Sequence, residues 1–299
     1  MCTLARSESQ TVISYISALR PWSWNSSIIA VILGNILAFR DLRTVDISIF
    51  SLTLVSVLCV HAAGNLVNTF YDYKYGIDTH RCTGCVTLVE RRLVPSEVSY
   101  LCAVIYACGV LTFILVASIS PARIEHCALL FFVGLSGSFL YTGGVGLKYF
   151  GLGDLIVMIL FGPVSVSYAY ILQTGIPSYK AFLFALPLLL NSEAVLHAKN
   201  MKNIDHDRNA GIITLAIVLG ETFSYFVYCF ILFLPYLLIS YAAMRLSIYI
   251  FLPFLTLAQA FAIERVARVG QWNTIPRKTA ILNTLFGILY NLGVLLSCL

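Results

Sequence analysis

Charge is scarce in this sequence. Only 11% of its 299 residues are Asp, Glu, Lys or Arg, and 59% are hydrophobic, whereas a soluble domain carries about a quarter charged residues. With a mean hydropathy of +0.87, a soluble globular protein is excluded and a polytopic membrane protein is indicated. Long polar stretches are also missing. The longest run from about Lys74 to Glu97 and from Lys199 to Gly211, too short to form a soluble domain. The chain therefore reads as one membrane domain over 23–299, preceded by a short segment, 1–22. That segment lacks the long apolar core of a secretory signal, but Val12, Ile13, Ile16 and Leu19 recur as one face of a short helix, which predicts a helix lying on the membrane.

A disulfide framework is absent. The nine cysteines are scattered mostly through apolar segments, where Cys behaves as a small hydrophobe. Cys82-Thr-Gly-Cys85, with His80 nearby, offers three zinc-ligand types but has no partner pair, so it reads as ordinary loop cysteines. No P-loop pattern occurs, and no nucleic-acid partner is expected.

Apolar segments of spanning length lie near 23–39, 48–71, 98–119, 125–142, 153–173, 180–198, 217–240, 247–263 and 279–298. Pro163, Pro187, Pro235 and Pro253 fall inside helices five to eight, where neighbouring helices can satisfy the freed carbonyls. Nine spans put the N-terminus and the loops after the even-numbered helices on one face. Fourteen of the nineteen Lys and Arg residues then share that face, leaving Arg40, Arg43, Arg123, Lys180 and Arg245 on the other. By the positive-inside bias, the fourteen-charge face is expected to be cytosolic.

On the same face the polar pattern repeats. Asn65, Asn68, Asp72 and Gly76 are matched 135 residues later by Asn200, Asn203, Asp207 and Gly211, giving N-x-x-N-x-x-x-D-x-x-x-G twice, each time after an apolar segment. At about 100° per residue, His61, Asn65, Asn68 and Asp72 share one stripe, and Asp78 joins them only if the helix breaks at Gly76. One copy alone reads equally well as a capped, solvated helix end. Two copies at corresponding places suggest an internal repeat whose halves face each other across one site. Carboxylates and amide oxygens converging there are the ligands Mg²⁺ takes, usually together with substrate phosphates.

Lys74, Arg81, Lys148, Lys202 and Arg208 are candidates for binding a diphosphate, although each taken singly also reads as a snorkelling topology charge. Glu193 and His197 fall on the stripe of Asn200, Asn203 and Asp207, and ionisable groups this deep normally face a cavity. For His197 an interhelical hydrogen bond is the plainer alternative. Asp205 points away from that stripe if the helix runs on. The turn YTGGVGLKYFGLGDL, residues 141–155, brings Lys148, Tyr149 and Asp154 to the motif face, either to orient an aromatic co-substrate or to anchor the turn at the interface.

With these motifs, the chain resembles the UbiA superfamily of intramembrane prenyltransferases over nearly its whole length. The resemblance is carried by ALRPWSW (18–24), GNLVNTFYDYKYGID (64–78), TLVERRLVPSEV (87–98), LKYFGLGDL (147–155), NSEAVLHAKN (191–200) and DRNAGIITLAIVLG (207–220), which are similar to the animal, menaquinone-4-forming branch. It implies an all-α membrane fold of nine helices around a central cavity. It also implies a Mg²⁺-dependent transfer of a geranylgeranyl group from its diphosphate to a naphthoquinone, in the endoplasmic reticulum or Golgi membrane, with a sterol-pathway reductase as a partner. On these positions Asn68, Asp72, Asp78, Asn203 and Asp207 are the expected metal set. Asp72, Asp78, Asp207 and Tyr149 are the expected catalytic residues, and Asn65, Asn200, Asp154, Glu193 and His197 are expected at the substrate. Two departures stand out. The family has Asp where this chain has Asn203, and its acidic run and arginine before Thr87 are replaced by Cys82-Thr-Gly-Cys85-Val86. Prenylation of another acceptor, such as 4-hydroxybenzoate or haem, and a non-catalytic prenyl- or sterol-sensing scaffold are the competing readings.

Overall fold

A computed structural model describes residues 8–78 and 87–299. Helix α1 (Glu8–Leu19) is followed by α2 (Asn25–Leu42), α3 (Ile47–Lys74), α4 (Pro95–Ile119) and α5 (Ile124–Leu140). After the glycine-rich turn come α6 (Gly153–Ile159) and α7 (Ser165–Thr174), then α8 (Tyr179–Lys202), α9 (Ile204–Asn209), α10 (Leu215–Arg245), α11 (Leu257–Arg268) and α12 (Ile275–Leu296). Among the described residues eight helical runs are long and apolar enough to cross a membrane. The ninth expected span is α5, whose 17 residues rise about 25 Å, at the lower limit for a hydrocarbon core of about 30 Å. Among the described residues the only extended pairing is one parallel bridge, Phe150 to Ile213.

The interior is polar in spots and the outside is apolar, as a lipid solvent demands. Asn35, Gln173, Asn283 and Asn291 are buried, whereas Leu111, Ile114, Phe226, Phe230 and Leu237 are exposed. Gln173 donates to Asn35 Oδ1 at 2.8 Å and to the Asp46 carbonyl at 2.9 Å, pairing polar groups that hydrocarbon cannot solvate. On α1, Val12, Ile13 and Ile16 are exposed, as an interfacial helix requires. Leu19, which the spacing assigns to the same face, instead packs inward beside Ala18, Leu66 and Leu88.

The prolines act as their chemistry dictates. Pro163 lies in a π turn, Leu160–Val164, that splits the fifth span into α6 and α7. Proline supplies no N–H to this turn, and the Leu160 carbonyl accepts from both the Ser165 N–H and Ser165 Oγ, the latter at 2.6 Å. Pro253 sits in a 3-10 stretch, Ile248–Thr256, so the eighth span begins more tightly wound than expected. Pro235 lies inside α10, whose first turn is set off by a break at Gly220, and Pro187 lies inside α8. The halves share a packing rule: each motif helix lies against the helix beyond its loop, α3 on α4 and α8 on α10.

α2 packs on α7 through Gly34, where a Cβ would stand 2.5 Å from the Val166 carbonyl oxygen and 2.7 Å from Ala169 Cβ. Gly134 has open space, its nearest neighbour being Val164 Cγ1 at 3.9 Å. Alanine is otherwise the better helix former, so the two sites separate crowding from propensity. Gly34→Ala is expected to destabilise by about 1–3 kcal/mol in thermal unfolding in detergent micelles. Gly134→Ala is expected to be neutral or stabilising.

Candidate active site

Two helix ends of the same design build the site. At the end of α3 the chain turns through Gly76 in the left-handed region, φ 69°. There Ile77 N–H donates to the Asp72 carbonyl at 2.8 Å and Gly76 N–H to that of Tyr73 at 3.1 Å. At the end of α9 Gly211 does the same at φ 70°, with Ile212 N–H on the Asp207 carbonyl at 2.9 Å and Gly211 N–H on that of Arg208 at 3.1 Å. Both are Schellman turns, and both use glycine because a left-handed residue with a Cβ is strained. The first turn brings Asp78 back beside Asp72, as the motif spacing required.

The second copy differs in one respect from the uninterrupted stripe expected. The helix breaks at Asn203, φ −102° and ψ 9°, before α9 resumes. The break does not swing Asp205 inward. Its side chain is 83% exposed and pairs with Arg208 at 3.5 Å.

A strap holds the copies together. The turn between α5 and α6 is tied to the chain after Gly211 by Ile213 N–H on the Tyr149 carbonyl, 3.1 Å, and it carries Lys148 and Tyr149 onto the opposite motif. Lys148 Nζ meets both Asp72 oxygens, at 2.6 and 2.7 Å, and Tyr149 OH donates to Asp72 Oδ1 at 2.8 Å. Burial, helped by Asp72, pushes the Tyr149 phenol well above its usual range, so it stays a proton donor. Asp207 is also pushed up, by burial that His206 and Lys199 offset only in part.

The five expected metal-set residues, Asn68, Asp72, Asp78, Asn203 and Asp207, line one polar cavity of about 210 Å³, together with Asn200, Asp154, Lys148 and Lys202. This cavity shares Asn68, Tyr141, Leu196, Lys199 and Pro276 with a mainly apolar one of about 380 Å³. Asn65 lines the apolar cavity, its amide donating to the Leu19 carbonyl and to Ser23 Oγ, both at 3.0 Å. Other expectations fall elsewhere. Lys74 is exposed over the Tyr71 ring, and Arg208 faces outward to Asp205, so neither lines the cavity. Glu193 and His197 are buried behind the wall instead of on it. Arg81, His80, Cys82 and Cys85 lie outside the described residues.

Three residues at the site were not anticipated. Arg20 is buried and donates to Asn68 Oδ1 and Thr69 Oγ1, both at 2.9 Å, so the Asn68 amide, which also donates to Thr142 at 3.1 Å, is held on both sides. Lys199 lines both cavities, and His206 lines the polar one, its Nδ1 3.5 Å from Asp207. The i, i+4 spacing of Lys199 to Asn203 was available as a signal. For Arg20, 48 residues from its partner, no local signal exists.

The UbiA prenyltransferase family model matches residues 27–288. The chain belongs to the UbiA prenyltransferase family. The human UbiA prenyltransferase domain-containing protein 1 is 46% identical over 292 residues, covering 98% of this chain and 86% of that protein. Its homolog in Drosophila melanogaster is 47% identical over 280 residues, covering 93% and 78%. A UbiA homolog from Archaeoglobus fulgidus, solved bound to DMAPP and Mg²⁺, has the same fold, with a TM-score of 0.66 at 16% identity over 94% of this chain and 99% of that one. As a UbiA member the chain is a multi-pass membrane prenyltransferase.

The left-handed glycine turns can be tested without touching an acid. A Cβ at Gly211 meets nothing within 4 Å, so only backbone strain of about 1–2 kcal/mol opposes a branched residue. Gly211→Val is expected to lower the thermal transition and weaken prenyl diphosphate binding, while Gly211→Asn, which tolerates this conformation, is expected to retain both.

Proposed function

We propose that this UbiA member transfers a polyprenyl group, geranylgeranyl by its resemblance, from the diphosphate to a naphthoquinone ring, with Mg²⁺ as cofactor. The observation that carries this reading is the junction of two cavities: one rich in carboxylates and lysines, the other apolar and about 380 Å³ in volume. An allylic diphosphate has the same two ends. Val57, Val60, Leu130 and Phe131 suit the tail, and Lys148, Lys199 and Lys202 suit the phosphate oxygens.

The donor set fits the metal. Asn68, Asp72, Asp78, Asn203 and Asp207 offer only oxygen, the ligand type a hard cation takes. When bound, Mg²⁺ supplies charge neutralisation of the departing diphosphate. The chain does the rest. Asp72 and Asp207 hold opposite sides of the polar cavity, Arg20 orients the Asn68 amide, and Tyr149 with Lys148 keeps the Asp72 carboxylate pointed inward. The apolar cavity keeps water from the allylic cation formed as the C–O bond to diphosphate breaks. The acceptor, entering as the quinol reduced by an external two-electron donor, attacks through its unsubstituted ring carbon, which then gives up its proton.

Asn65, Asn200 and Asp154 are proposed to contact substrate from the walls. The naphthoquinone assignment is supported by the likeness of the motif stretches to menaquinone-forming members. That likeness also supports an endoplasmic reticulum or Golgi membrane and a sterol-pathway reductase as a partner. The lysine and arginine bias supports cytosolic motif loops, and the exposed apolar face of α1 supports an interfacial segment, 1–22, ahead of one membrane domain, 23–299. Asn203 favours one alternative, a prenyl-sensing scaffold without turnover, because it removes a charge from the metal set.

Membranes containing the chain, given geranylgeranyl diphosphate and a thiol reductant with menadione, 4-hydroxybenzoate or haem as acceptor, are expected to prenylate the reduced menadione. Asp72→Ala or excess EDTA is expected to abolish the product. Turnover by Asp72→Ala in EDTA would overturn the metal-assisted reading, and product from another acceptor alone would reassign the substrate.

Asn203 gives a sharper prediction. An amide offers an oxygen but no charge, and an increment of about 1.4–2.8 kcal/mol in metal binding is a ten- to hundredfold change in affinity. Asn203→Asp is expected to reach half-maximal rate at about ten- to hundredfold lower Mg²⁺ than wild type. Asp205→Ala is expected to leave the magnesium curve unchanged, because Asp205 faces outward. No turnover in any of the three at high Mg²⁺ would favour the scaffold.

A further inference from the structure

Beside the polar cavity lies a second group of ligating side chains, two of which, Glu193 and His197, the transfer reaction does not use. Glu193 and His197, one turn apart on α8, converge with Asp154 from the first turn of α6, and all three are buried, at 3%, 0% and 6% exposure. Their ligand atoms lie within 4.8 Å of one another.

Hydrogen bonding fixes the direction of the imidazole. His197 Nε2 is 3.0 Å from the Ser224 carbonyl oxygen. A carbonyl can only accept, so Nε2 carries the hydrogen and Nδ1 presents a bare lone pair. That lone pair faces Asp154 Oδ1 at 3.8 Å, beyond hydrogen-bonding reach. Nδ1 and both Glu193 oxygens are buried without a hydrogen-bond partner. The Asn200 amide reaches Asp154 Oδ1 at a long 3.4 Å. Among the described residues no Lys or Arg forms an ion pair with either carboxylate.

Three electron-rich atoms therefore face one another among buried side chains, where each unmet polar group is costly. A proton shared by Glu193 and Asp154 leaves the imidazole lone pair unmet. A divalent cation meets all three.

We propose that Asp154, Glu193 and His197 hold a divalent transition-metal ion of the zinc class, separate from the all-oxygen set at the motif ends. The imidazole decides the class, since nitrogen with carboxylate oxygen suits Zn²⁺ and selects against Mg²⁺. Zinc–ligand bonds of about 2.0–2.2 Å bring tetrahedral ligand atoms to about 3.3–3.5 Å apart. The group closes to that spacing by rotation of the Glu193 and Asp154 side chains. Asp154 also lines the polar cavity, which gives the ion an entry path and leaves a fourth position open to water. Bound there, the ion ties α6 to α8 and, through the His197 bond to Ser224, to α10, just ahead of the second motif. This inference does not depend on the prenyl acceptor or on Mg²⁺ at the motifs.

The test uses the full chain in detergent micelles, carrying Cys82→Ser and Cys85→Ser to remove the loop thiols, stripped with chelating resin and then titrated with Zn²⁺. Elemental analysis after desalting is expected to give about one zinc per chain, with an unfolding temperature that rises with Zn²⁺ and not with equal Mg²⁺. Glu193→Gln and His197→Gln are each expected to weaken zinc binding by about a hundredfold or more, whereas Asp72→Ala leaves it unchanged. Absence of zinc from the stripped and reloaded protein would overturn the proposal and leave the group with a proton. Zinc lost in Asp72→Ala but kept in His197→Gln would overturn it too. Should the glutamine variants fail to fold, the unfolding temperature of the protein carrying only the two serine changes still decides, because no rise with Zn²⁺ refutes the site.

Discussion

A carboxylate buried at the end of a membrane helix must be met by positive charge or by donors, and at Asp72 this is done by residues of the turn between α5 and α6. Lys148 takes both oxygens and Tyr149 one. The bond from Ile213 to the Tyr149 carbonyl then anchors that pair to the chain beyond the second motif. The two repeats are thereby locked across the cavity through one buried ion pair. Breaking such a pair by removing one partner leaves an uncompensated charge, so the geometry of both motifs depends on this contact.

The repeats have the same helix-end turns but different environments. Asn68 is clamped by Arg20 and Thr142, whereas its counterpart Asn203 sits at a break where α8 gives way to α9. The first motif is thus clamped by side chains from other elements, whereas the second carries a break in its helix. The two sides of the cavity differ in how their polar residues are held. The same division runs through the interior, where polar side chains pair with one another and the apolar exterior is left to the bilayer.

Much of this was legible in the primary structure. Hydrophobic runs gave the spans to within a few residues, because in lipid every backbone group must be satisfied within a helix and apolar length alone marks the crossing. The doubled N-x-x-N-x-x-x-D-x-x-x-G pattern named Asp72 and Asp207 as neighbours, and the break it placed at Gly76 brought in Asp78, since 3.6-residue periodicity and the need for a left-handed glycine are local rules. The 3-10 start of the eighth span and the π turn at Pro163 were visible only as prolines. How a helix winds around a missing N–H depends on what packs beside it.

The residues that complete the site were decided by tertiary structure. Arg20 reaches Asn68 across 48 positions, and Lys148 is distinguished from the exposed Lys74 and the outward Arg208 only by where its turn is strapped. Glu193 and His197 share the helical stripe of the motif yet end up behind the wall, because α6 brings Asp154 between them and the cavity. Sequence by itself determined the helices, their polar stripes and the paired turns, since each follows from interactions within a few residues. Only the folded bundle decided which lysine meets which carboxylate and which ionisable groups face the cavity, because burial and charge pairing are properties of neighbours that the chain supplies from far away.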